Sequence, residues 1–131
     1  MATITEDYCS FEIAKLLKEK GFDEHCSTSY NTILSNHKVE ESSVSECGRA
    51  NQIYCPTLQM AMKWLREVHK IHIIAEPCLG EGDEPNLSFN RWFWTILKEE
   101  GEYEPIRKIE EFSTYEEAVE AALEYSLKNL I

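Results

Sequence analysis

The chain has 131 residues, a formal charge of −11, 43% hydrophobic and 11% aromatic residues. That length suits one domain with one core, and so much apolar material excludes a disordered polymer. Its apolar runs are far shorter than the ~20 residues a bilayer-spanning helix needs, and so acidic a chain repels phosphate backbones, so neither membrane insertion nor direct nucleic-acid binding is expected.

Residues 10–20 repeat Phe11, Ala14 and Leu17 at helical spacing, beside Ile13 and Leu16, with Lys15, Lys18 and Glu19 opposite. Ser10 is the expected N-cap, and Gly21 followed by Phe22 is the expected stop. A weak strand is expected over 27–34. The segment 35–51 then turns polar without any period and reads as a long loop. After a β-like run at 52–55, Pro56-Thr57 opens a second helix, to about 69, with Leu58, Ala61, Met62, Leu65 and Val68 on its buried stripe and Trp64 at its margin.

Residues 70–76 alternate, with Ile71, Ile73 and Ala75 on one side and His72, Ile74 and Glu76 on the other, as a strand does. A turn-rich excursion is expected at 79–90. The strand at 91–98 carries Trp92, Trp94 and Ile96 on one face and Phe93, Thr95 and Leu97 on the other, so it belongs in the middle of a sheet. Residues 103–109 can return beside it, and Pro105 suits an edge. In Ser113-Thr114-Tyr115-Glu116 the first and last residues can cap a final helix over 114–130, with Glu117, Glu120 and Glu124 outside. The expected fold is therefore α+β: a three- to four-stranded, mainly antiparallel sheet packed by three helices, as a single domain over 1–131.

Five cysteines, Cys9, Cys26, Cys47, Cys55 and Cys78, cannot all pair internally, and reduced thiols in a cytoplasm explain them most simply. No basic stretch followed by an apolar one marks the N-terminus as a secretory signal. His25, Cys26, Cys47, Cys55 and Cys78 lack zinc-ligand spacing, so no metal and no cofactor is expected. Cys55 is the best-placed thiol for a nucleophile, because a helix starting just after it could lower its pKa; the stronger reading is a small apolar residue ending a strand and packing beneath that helix. No catalytic residue is assigned. Trp64, Trp92 and Trp94 could floor a ligand pocket, although core packing is the simpler reading. From Glu99 to Glu124 ten acids stand against Arg107 and Lys108, a solubilising face or a docking face for a partner protein.

Three segments, 54–67 with its Tyr54-Cys55-Pro56-Thr57 start, Arg91-Trp92-Phe93-Trp94-Thr95-Ile96, and Ser113-Thr114-Tyr115-Glu116-Glu117-Ala118, resemble small uncharacterised proteins from prophages and mobile elements of gut bacteria. The Pro-Thr helix start, the tryptophan-bearing strand and the final helix are also similar to small phage α-β-α sandwich domains. The resemblance implies a mobile-element setting and transfers no activity to any residue. The leading expectation is a non-enzymatic accessory protein acting by protein contacts through Glu117, Glu120 and Glu124. Two alternatives stand beside it: a small-molecule binder or enzyme using Trp64, Trp92, Trp94 and Cys55, and a DNA-mimic inhibitor built on the acidic array.

Overall fold

The computed structural model describes residues 6–24, 26, 28–31, 39–41, 52–78, 91–99, 104–107 and 110–131. The expected strand at 27–34 lies only partly within these residues. The excursion at 79–90, and His25 and Cys47, fall outside them.

Helix α1 is Phe11–Glu19, with the Ser10 hydroxyl accepting a hydrogen bond from the Ile13 N–H. Its end is a Schellman turn: Gly21 takes φ 94°, its N–H donates to Lys18 O at 3.1 Å, and the Phe22 N–H donates to Leu17 O at 2.9 Å. Phe22 is thereby folded into the core.

Strands β1 (Thr28–Asn31), β2 (Val39–Glu41) and β3 (Gln52–Tyr54) form an antiparallel sheet in the order β2-β1-β3. The segment 35–51 is thus not loop throughout, since β2 lies inside it. Cys55 and Pro56 lead from β3 into α2, Leu58–Val68, where the Thr57 hydroxyl accepts from the Met60 N–H at 3.1 Å. Val68, expected on the buried stripe, is 55% exposed at the last residue of the helix, while Trp64, expected at the margin, is buried. Lys70, at φ 57°, turns the chain into β4 (Ile71–Pro77). Strand β5 (Trp92–Lys98) pairs antiparallel with β4 along its whole length, and β6 (Ile106–Arg107) covers the other side of β5. The tryptophan strand is central, as its two apolar faces require, and Pro105 precedes an edge strand. Helix α3, Tyr115–Asn129, closes the fold.

The α+β class, the three helices and the antiparallel pairing are those expected, with the strands divided between two three-stranded sheets. Helices α2 and α3 lie against β4, and α3 also against β5, while α1 packs on α3 and β3. The main core joins Leu17, Leu65, Ile71, Trp94, Ile96 and Leu123; a smaller one holds Ala14, Tyr30, Ile53 and Cys55. Among the described residues no helix is long and apolar enough to cross a membrane.

Among the described residues, the helices cover one face of β4-β5-β6. Alternation sends Ile71, Ile73 and Ala75 into the core, and leaves Ile74 and Leu97 at 38% and 39% exposure on the other face. Phe93 is half-buried there.

Candidate functional site

The residues singled out by chemistry separate into three places. The first is a buried polar knot where α1, β1, β3 and α3 meet. The Cys9 N–H donates to Pro56 O at 3.0 Å, beside an isolated bridge between Tyr8 and Thr57, and this brings the start of the chain alongside the β3–α2 connection. Cys55 is fully buried there, its thiol donating to Cys9 O at 3.5 Å. The Tyr30 hydroxyl donates to the same carbonyl at 2.6 Å, and the Thr28 hydroxyl donates to Cys55 O at 2.6 Å.

Burial pushes the Cys55 thiol up to about 11; the hydrogen bond with Tyr30 pulls it down, and the Glu120 carboxylate raises it further. Cys9 is pushed up as well, first by burial and then by Cys55 and Glu120. Tyr30 moves in the same direction, again chiefly by burial. Cys55 is therefore the buried packing residue at a strand end, and the following helix does not lower its pKa. Cys55 and Pro56 are buried, helix α2 begins only at Leu58, and desolvation outweighs the helix end. Both thiols keep their protons at neutral pH, which makes them poor nucleophiles and suits them to packing. Tyr30 was missed because only the pairing of β1 with β3 carries its ring under Cys9.

The second place is α3. Its N-cap is Thr114, one residue later than expected: the Thr114 hydroxyl accepts from the Glu117 N–H at 3.1 Å, and the Glu117 carboxylate accepts from the Ser113 N–H at 3.1 Å. Glu120 is not outside. Its carboxylate accepts from the Ser10 N–H at 2.7 Å and so joins α3 to the start of α1. Glu124 is exposed and paired with Lys128 at 2.6 Å, one turn along. The three glutamates thus hold two helix starts and one surface ion pair, with Glu117 and Glu124 exposed and Glu120 half-buried.

The third place holds the tryptophans, which keep separate company. Trp64 is buried, edge-on to Phe22 and His69. Trp94 is buried against Tyr125, and its indole N–H has no hydrogen-bond partner among the described residues. Trp92 is half-buried and edge-on to Tyr115. A groove of about 240 Å³ runs beside α2, lined by Glu24, Met60, Lys63, Trp64, Glu67 and Val68. Neither Trp92, Trp94 nor Cys55 lines it. Among the described residues no group of three or more His, Cys, Asp or Glu side chains could hold a metal ion.

Comparison with protein-family models, with curated proteins and with solved structures finds no match to this chain.

Proposed function

We propose that the chain is an accessory protein of a prophage or other mobile element that acts by binding another protein. The observation that carries this reading is the open face of β4-β5-β6, where Ile74 and Leu97 remain well exposed while both neighbouring helices pack on the opposite face. Partly open apolar surface of this kind, edged by His72, Glu76 and Arg107, favours contact with another chain. The mobile-element setting rests on the likeness at 54–67, 91–96 and 113–118. Thiols without disulfides at Cys9, Cys55 and Cys78 fit a cytoplasmic setting.

The contact is assigned to the sheet face in preference to the α3 glutamates, because Glu117 and Glu120 are already used inside the molecule. The test is quantitative capture from host lysate by the immobilised chain, compared among wild type, Leu97→Glu and Glu124→Lys. The reading expects capture to be lost with Leu97→Glu and kept with Glu124→Lys. The opposite pattern transfers the contact to the acidic helix, and capture of nothing by the wild type removes the reading altogether.

A further inference from the structure

Strand β4 ends its sheet: the order is β4-β5-β6, and among the described residues no strand pairs with its outer side. The direction of its backbone groups follows from the bonds at its two ends. The Glu99 N–H donates to Lys70 O at 3.0 Å and the Cys78 N–H donates to Arg91 O at 2.8 Å. Backbone groups of an antiparallel strand alternate sides, so His72, Ile74 and Glu76 turn theirs toward β5, while Ile71, Ile73 and Ala75 turn theirs to the outer edge. The strand is seven residues long, and its outward N–H and C=O groups form a template for one more strand.

The sequence of β4 is complementary to itself when reversed about Ile74. In an antiparallel pair of two copies centred there, Ile74 meets the partner's Ile74, and His72 meets the partner's Glu76 at both ends. These side chains all lie on the open face. Beneath them, Ile73 and the partner's Ala75 exchange backbone hydrogen bonds on either side of the two-fold axis. Apolar surface therefore covers apolar surface, the most exposed β4 isoleucine is the one covered, and each His72 ring, held within its own chain by Nε2 at 2.8 Å from Glu99 Oε1, comes beside the partner's Glu76. A shift of two residues would set Ile74 against His72 or Glu76, and a shift of one would put core-facing side chains opposite outward ones.

We propose that a second copy of this chain occupies the β4 edge, antiparallel about Ile74, joining two three-stranded sheets into one of six. The pairing sets two open faces side by side, but it does not depend on either face binding a further protein. Sedimentation velocity of the full chain is expected to give twice the monomer mass. Ile74→Lys, which sets two ammonium groups together at the axis, and Ala75→Pro, which removes an outward N–H without touching the β4–β5 ladder, are each expected to give the monomer with an unchanged far-UV circular dichroism spectrum. As a measurement that does not depend on those variants folding, mild oxidation of Ile74→Cys is expected to yield a covalent dimer, because facing residues of a non-hydrogen-bonded antiparallel pair come to about 4.5 Å. Leu97→Cys, on the same face but one strand away, is expected to yield far less. A monomeric wild type, a dimer that survives both β4 variants, or equal cross-linking at the two cysteine positions would each overturn the proposal.

Discussion

Replacing Glu120 by alanine removes the one carboxylate that reaches from α3 to the backbone at the start of α1, a contact between residues 110 positions apart. At 2.7 Å the Ser10 N–H donates to a charged acceptor in the short range of charge-assisted bonds. Such bonds contribute about 1.5–3 kcal/mol net, and Glu120 is only half-buried, so water can replace part of the loss; a destabilisation of about 2 kcal/mol follows. For a domain of this size that is a fall in melting temperature of roughly 6–10 °C. Glu120→Gln keeps an oxygen for the Ser10 N–H and loses only the charge, and should cost about 1 kcal/mol. The control is Glu124→Ala, which breaks an exposed pair one turn apart and should cost about 0.3–0.5 kcal/mol. Calorimetry of the three variants beside the wild type separates these values. Equal melting of Glu120→Ala and Glu124→Ala would refute the reasoning and return Glu120 to the solvated face.

Gly21→Ala meets no atom within 4 Å, so its cost is purely that of holding a side chain at φ 94°, about 1 kcal/mol by denaturant unfolding; a neutral substitution would mean that α1 does not end in this turn. The buried thiol knot makes stability fall at alkaline pH. Folding raises the Cys55 pKa from its ordinary 9.0 to about 11, so its contribution is whole below the unfolded value and is lost as pH climbs from about 9 to about 11. Cys9 and Tyr30, both also raised, add to the same slope. Denaturant titrations from neutral pH upward should show that decline, made shallower by Cys55→Ala; an unchanged slope in the variant would contradict the burial argument.

What could be read from the chain was whatever local chemistry decides. Ser10 and the Gly21-Phe22 pair bound α1 because capping and the left-handed turn are settled within a few residues, and the alternating bulk of Trp92 to Leu97 required a central strand. The α3 start was misread by one residue because Ser113-Thr114-Tyr115-Glu116-Glu117 holds two overlapping Ser/Thr-x-x-Glu frames, and only the geometry chooses Thr114 with Glu117. Strand β2 escaped notice because three residues are too few for a period. The division into two sheets depends on which strands meet, which no single segment specifies. Glu120 looked solvated from its own helix, yet the Ser10 N–H of a distant helix turns it inward. Cys55 was placed correctly at a strand end, but its thiol chemistry is set by Cys9, Tyr30 and Glu120 around it. The tryptophans were legible as core residues, Trp64 and Trp94 fully and Trp92 in part, because large apolar side chains on a covered face have little else to do.

The assignment of protein contact to the open sheet face is tested most directly by hydrogen–deuterium exchange of the chain alone and bound to the protein it captures. Bound, the amides of β4 and β5 around Ile74 and Leu97 should slow, with α3 from Glu116 to Glu124 unchanged. Slowing confined to α3, with β4 and β5 exchanging as in the free chain, would contradict the account.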